Sequence, residues 1–273
     1  MAARALTFKA KNNRFPKPID KARLQKPRLI LFLPPVKHLR LLWRLFFSIS
    51  FTTVIVVEIW LRRTFAGADT RTAMKVRRRW ARKLLRGIGV QFEHEGIAPD
   101  LPCILVSNHR SYLDPILMLC HVNAYPVAKA ELADWPVIGK GAKLAGILYL
   151  RREHSGSRAN ALRLMEEKLK EGFPIIIFPE GTTSGEPGTL PFKKGVFQLA
   201  ARINFPIVPV AVIFPDPRDF WTGTESFGSH AGRRFLEKTI AAKVVYGQPL
   251  QGNDPDVLMA EAKNWIESRL LQP

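Results

Sequence analysis

The chain has 273 residues, 47% of them apolar, so it can bury a full core; one large domain with an appendage is the expectation, and a wholly disordered chain is excluded. Lys and Arg outnumber Asp and Glu by 42 to 23, a formal charge of +19, which calls for a polyanionic counterpart: nucleic acid, anionic lipid or phosphorylated substrates. The two cysteines, Cys103 and Cys120, lie in apolar runs without metal-ligand spacing; they fit reduced, buried thiols in a cytosolic compartment better than a disulfide framework, and no metal site is expected.

Residues 1–40 carry eleven Lys or Arg and one acidic residue, Asp20, with several prolines, and read as a basic, partly irregular tail. The run at 45–61, LFFSISFTTVIVVEIWL, is apolar apart from Glu58 and is bounded by Arg44 and Arg62. A bilayer span needs about 20 apolar residues, so this run is borderline. Residues 70–86 hold eight basic and no acidic residues; Ala73, Val76 or Arg77, Trp80, Ala81 and Leu84 follow helical spacing, giving a basic amphipathic helix. Both flanks of 45–61 are basic, and the positive-inside bias would hold both on the cytoplasmic face. The expectation is a helical hairpin over 41–88 that enters one leaflet of the cytoplasmic membrane and returns; the alternative is an ordinary buried helix capping the domain.

From residue 89 the texture changes. Short β-rich runs recur at 90–95, 103–107, 125–130, 147–151, 174–178, 207–214 and 242–247. Helical stretches at 155–171, 193–204 and 255–271 separate or follow them, the last opening with Asp254 as cap and Pro255 in the first turn. Continuous apolar strands alternating with helices predict an α/β domain with a mixed, mostly parallel sheet flanked by helices.

Three strand ends carry chemistry. In CILVSNHRSYLDP, residues 103–115, the strand runs to Ser107, and Ser111 could cap a helix starting near Tyr112. Asp114 would then lie in the first turn, close enough to His109 for a hydrogen bond. With no Ser or Cys nucleophile alongside, such a pair suits proton abstraction from a substrate hydroxyl; it could equally be a turn histidine and a helix-terminus charge. In IIIFPEGTTSGEPGTLPFKKG, residues 175–195, Glu180 and Gly181 are followed by Thr182, Thr183 and Ser184. Gly181 permits close backbone approach, and N–H groups with hydroxyls can cradle a phosphate. Glu180 would bind a hydroxyl or hold an arginine, while Lys193 and Lys194 return positive charge. An ordinary Gly-rich connection is the alternative. The run ending at Arg151 and Arg152 suits a phosphate held bidentately, or a solvated edge.

NHRSYLD, GILYLRR, FPEGTTS and FPIVPVAV, in that order between residues 108 and 212, resemble the four motifs of the glycerolipid acyltransferase superfamily, and most nearly its 1-acylglycerol-3-phosphate (lysophosphatidate) acyltransferases. The resemblance implies that His109 is the general base and Asp114 its partner. It implies that Arg152, with Arg151 beside it, and Glu180, Gly181, Thr182, Thr183 and Lys193 meet the substrates, and that Pro209 centres the fourth motif. It makes 89–273 the acyltransferase domain. It implies direct acyl transfer from acyl-CoA or acyl-carrier protein to a lysolipid hydroxyl, without cofactor, metal or acyl-enzyme. Many lysophosphatidate enzymes have Arg where this chain has Thr183, a form that also resembles lyso-ornithine-lipid and lysophosphatidylcholine branches, so the acceptor headgroup stays open.

Two rivals compete. Nucleic-acid binding would use the charge, but basic residues concentrate around the apolar run, which favours anionic lipid as the partner. A non-catalytic lipid-binding module is the other. His38, His94, His154 and His230 read as surface or turn residues and His121 as a satisfied core residue. The aromatic, Gly-rich stretch 214–234 reads as either a lid over an acyl chain or plain packing.

Overall fold

The computed structural model describes residues 36–134, 141, 143–150, 155–223 and 225–271. The seven apolar runs form one seven-stranded sheet: β1 (Val90–Glu95), β2 (Ile104–Ser107), β3 (Tyr125–Lys129), β4 (Leu148–Leu150), β5 (Ile175–Ile177), β6 (Ile207–Ile213) and β7 (Ile240–Tyr246). Their order is β1-β7-β6-β2-β5-β3-β4. Every neighbouring pair is parallel except β6 and β7, which confirms the mixed, mostly parallel sheet. β2 reads as an unbroken apolar run because both its faces are covered. Leu105 joins Val208, Val210 and Val212 of β6 on one face; Ile104 and Val106 join Ile207 and Ala211 on the other.

The first face is covered by α2 (Thr70–Gly87), α3 (Asp114–Leu119) and the end of α6 (Phe227–Phe235); the second by α4 (Ser155–Lys170), α5 (Gly195–Ile203) and α7 (Pro255–Leu270). Asp254 caps α7 as expected, accepting from the amides of Asp256 and Val257. The sequence-derived cap on α3 is displaced: the helix begins at Asp114, two residues after Tyr112, and Ser111 supplies no N-cap. Cys103 and Cys120 are buried thiols, and burial pushes each up to about 12.

The chain leaves β2 toward β3 and leaves β5 toward β6, on the opposite side of β2. The two adjacent strands β2 and β5 therefore flank a topological switch point, and the crevice outside their carboxyl ends is the fold's natural ligand position.

The N-terminal segment forms the expected pair of packed helices. α1 (Val36–Phe65) is a single 30-residue helix, so the tail expected over 1–40 ends before residue 36, and residues 1–35 lie outside the described residues. α1 and α2 run antiparallel: Arg79 of α2 reaches Glu58 at 2.6 Å, and the Trp80 indole N–H donates to Thr52 Oγ1 at 3.1 Å. Glu58 also accepts from Arg62, so the one carboxylate of the apolar run is held by two guanidiniums. α2 buries Ala81, Leu84 and Leu85 against the sheet, and the described residues belong to one compact unit. The apolar stripe of α2 thus covers the sheet. α1 stays largely uncovered, with Trp43 59%, Phe46 65% and Ile49 66% exposed, and is long and apolar enough to cross a membrane by length and composition.

Two arginines fasten α1 to the rest. The buried Arg44 guanidinium donates to the carbonyls of Phe235, Glu237 and Lys238, and Arg40 donates to that of Leu236. These oxygens belong to the last residue of α6 and the turn after it, where helix carbonyls lack partners and the dipole favours cations. Gly89 makes room for this contact. Its φ is +84°, and a Cβ there would come within 1.8 Å of an Arg44 nitrogen. Gly89→Ala is expected to cost about 2 to 4 kcal/mol, from backbone strain and the displaced guanidinium. Gly228→Ala, at an uncrowded position with no positive φ, is expected to be neutral or stabilising; urea unfolding of both variants checks the contrast.

Candidate active site

The end of β2 is pinned before it turns. The Asn108 side chain donates from Nδ2 to the Val212 carbonyl and accepts the Val212 amide at Oδ1, both at 2.8 Å, continuing the pairing with β6 by side-chain atoms. His109 therefore leaves the sheet at a fixed point. Its ring stacks on Phe178, the residue after β5, with centroids 4.2 Å apart and planes 20° apart.

Asp114 opens α3 and points back into the loop. Its Oδ2 lies 2.7 Å from His109 Nδ1 and also accepts the amides of Arg110 at 2.6 Å and Ser111 at 2.8 Å. Asp114 is 0% exposed. A carboxylate that takes two backbone N–H groups is an acceptor, so the imidazole donates its Nδ1–H and Nε2 carries the lone pair. The His109 side chain is 20% exposed, which leaves it reachable. A buried carboxylate, an oriented imidazole and an accessible edge are the parts of a general base.

The loop after β5 is tied to the same point. Glu180 Oε1 accepts the His109 amide at 2.8 Å, and Oε2 accepts the Leu190 amide at 2.9 Å. The amide of Ser184 returns a bond to the His109 carbonyl at 3.0 Å. Glu180 is 5% exposed; burial raises its pKa above the ordinary carboxylate value, against the opposing pull of those amides and of Arg110. Glu180 faces two backbone amides and fastens the 180–190 loop to the histidine. Gly181, at φ +79°, leaves space that Lys193 fills: a Cβ there would lie 2.4 Å from Lys193 Nζ. Thr182 is exposed and Thr183 half-buried. Thr182, Thr183, Gly181 and the Lys193 ammonium thus lie together along one loop that starts beside His109. Lys194 points elsewhere, to Asp256 at 2.6 Å. Arg151 and Arg152 lie outside the described residues. Pro209 sits inside β6, opposite Val106 of β2, as part of the sheet.

Arg110 was missed by sequence reasoning. Buried at 3% exposure, it donates to the carbonyls of Ser184, Pro187 and Gly188, and its carbonyl accepts the Trp221 amide at 2.8 Å. The signal was present, since an arginine at a strand end was the feature that singled out 151 and 152. The stretch 214–234 packs onto the catalytic loop. Tyr112 makes edge contacts with Trp221, Phe227 and His230. His230, expected at the surface, is 1% exposed; it faces the Tyr112 hydroxyl through Nδ1 and the Phe220 carbonyl through Nε2. Its partners are distant in sequence, which spacing could not reveal.

A family model described as Acyltransferase matches residues 89–213. The chain is similar to a chloroplast 1-acyl-sn-glycerol-3-phosphate acyltransferase of Brassica napus, 33% identical over 61% of this chain and 46% of that one. It therefore spans about half the length of that relative. It is similar to the lyso-ornithine lipid O-acyltransferase of Pseudomonas aeruginosa, 30% identical over 77% of this chain and 84% of that one. Among solved structures it is similar in fold to a 1-acyl-sn-glycerophosphate acyltransferase of Thermotoga maritima, with TM-score 0.68, 21% identity, and coverage of 86% of this chain and 95% of that one.

Replacing Glu180 by Gln sets an amide N–H against one of two backbone N–H groups. Glu180→Gln is expected to cost about 1 to 3 kcal/mol and to raise amide exchange over 182–190, with β6 and β7 unaffected. Hydrogen exchange with mass detection reads both.

Proposed function

The chain belongs to the acyltransferase family, and on that premise we propose that it moves a fatty acyl group from acyl-CoA or acyl-carrier protein to the free glycerol hydroxyl of 1-acylglycerol-3-phosphate, giving phosphatidic acid. The observation that carries the reading is the 2.7 Å contact between His109 Nδ1 and the buried Asp114 Oδ2. The acceptor hydroxyl loses its proton to His109 Nε2 as its oxygen attacks the thioester carbonyl. Asp114 stabilises the imidazolium that forms. Collapse of the tetrahedral intermediate breaks the C–S bond, and the imidazolium returns the proton to the leaving thiolate. The nucleophile belongs to the substrate, in keeping with two cysteines that are both buried.

The acceptor phosphate is assigned to Lys193 with Gly181, Thr182 and Thr183, and Arg151 and Arg152 are assigned to phosphate as well. The two substrates differ in phase, one a lipid and the other largely aqueous. The exposed apolar side of α1 supports a seat in one leaflet, with the basic residues of α2 toward anionic headgroups on the cytoplasmic face.

A second acceptor has a specific observation in its favour. The lyso-ornithine lipid enzyme is matched over 84% of its length, and Thr183 stands where many lysophosphatidate enzymes have Arg. The same proton transfer would serve that acceptor's hydroxyl.

Purified full-length protein in detergent, given labelled acyl donor and either lysolipid, tests the reading. His109→Ala is expected to lower transfer at least about a hundredfold. Asp114→Asn, which disturbs the tautomer, is expected to lower kcat on the order of 10^3- to 10^4-fold with KM little changed. Transfer to lyso-ornithine lipid alone would move the assignment to the second acceptor, and no transfer to either from either donor would overturn the enzymatic reading. In membranes, the protein is expected to stay in the pellet after a high-salt wash; release would refute the seat of α1.

A further inference from the structure

β1 lies at one edge of the sheet, three strands from β2, about 14 Å at about 4.8 Å per strand; the register sets His94 level with Val244 and Val212, at the end of the sheet from which His109 leaves. On the face covered by α2 and α3, this end gathers positive charge. The rings of His94 and His121 lie 4.5 Å apart, tilted by 34°. His121 Nδ1 faces the Tyr246 hydroxyl at 3.3 Å. Arg82 donates from Nε to the Cys120 carbonyl at 2.7 Å, and Arg78 donates to the His121 carbonyl at 3.4 Å. Each guanidinium commits one N–H to the backbone and keeps others for a ligand.

Among the described residues, no carboxylate pairs with Arg78 or Arg82. On neighbouring elements Glu58 is held by Arg62 and Arg79 and Glu95 by Lys243, and Glu93 alternates to the face of β1 opposite His94. Two guanidiniums without a carboxylate partner set a positive field beside the two imidazoles, which an anion would offset. Burial, and then His94, Arg82 and Arg78, hold His121 down to about 4; Tyr246 and Cys120, the other titratable groups there, are buried and neutral. The fork of a guanidinium matches two oxygens of a tetrahedral oxyanion, and an imidazolium adds a third donor.

We propose that His94, His121, Arg78 and Arg82 form a phosphate-binding site separate from the His109 loop, at the β1 edge of the sheet. The phosphate can come from a lipid headgroup or from solution; α2, which carries the two arginines, also packs on α1 through Arg79 and Trp80. An anion bound here stabilises the imidazolium, so its signature is a rise in the His121 titration midpoint.

The test is ring-proton NMR of the detergent-solubilised full chain, titrated with pH. The additions are inorganic phosphate, phosphatidic acid doped into the micelles, or phosphatidylglycerol doped to equal charge. The expected result is a rise of one unit or more in the His121 midpoint with either phosphate source, and a smaller one with phosphatidylglycerol. A response to phosphatidic acid but not to inorganic phosphate assigns the site to a headgroup; the reverse assigns it to a soluble phosphate. Arg82→Gln and Arg78→Gln, checked for an unchanged amide spectrum, are expected to weaken binding at least tenfold. No His121 response to either phosphate source, a response confined to His109, or full affinity in both variants would overturn the proposal. None of these readouts depends on acyl transfer, so the site stands or falls separately from the catalytic reading.

Discussion

One carboxylate oxygen organises the site. Asp114 Oδ2 gathers the His109 imidazole and the amides of Arg110 and Ser111, so the loop between strand and helix can close in only one way. Three donors on one buried oxygen hold the negative charge in place and fix which imidazole nitrogen bears the proton. The five-residue separation in sequence follows: the chain must leave β2, turn, and bring the first residue of α3 back beneath the histidine. Glu180 extends the arrangement to the adjacent strand by holding the His109 amide. Two carboxylates, one from each side of the switch point, thus act on the same residue from its ring and from its backbone.

The positive charge also has an internal use. Arg44, Arg77 and Arg110 are buried and end on backbone carbonyls rather than carboxylates. Arg77 spans from α2 to the carbonyls of Ala145 and Gly146, just ahead of β4. Carbonyls at helix ends and turns lack partners within their own element, and a guanidinium with five donors can satisfy several at once. Part of the +19 surplus is therefore structural, and reading it wholly as a signal for an anionic partner overstates what the surface offers.

The central strands β2, β5 and β6 were legible because each is a short apolar run bounded by turn residues, and burial on both faces keeps such runs unbroken; β1, VQFEHE, is mostly exposed and was legible only as a short β-rich run. α7 was legible from Asp254 and Pro255, whose conformational preferences are local. His109 and Asp114 stood out because polar residues at the end of a buried strand need a reason. What could not be read were relations made by tertiary contact. An amphipathic stripe such as that of α2 says that something apolar lies opposite, and both lipid and a sheet satisfy it. The two amide partners of Glu180, His109 and Leu190, are fixed only once β2 and β5 lie side by side. His230 and Tyr112 meet across 118 residues, with no periodicity to announce it.

The loop that follows β5 is anchored through its main chain. Glu180 holds the amides of His109 and Leu190, and Arg110 holds the carbonyls of Ser184, Pro187 and Gly188. Main-chain anchors are indifferent to side-chain identity, so Thr182, Thr183 and Glu186 can be exchanged without loosening the loop or moving the imidazole. The position of the imidazole is thereby uncoupled from the identity of the loop's exposed side chains. A lineage built this way can vary the side chains of this loop by single substitutions while the His109–Asp114 geometry stays intact, a form of evolvability that rests on two buried side chains, Glu180 and Arg110.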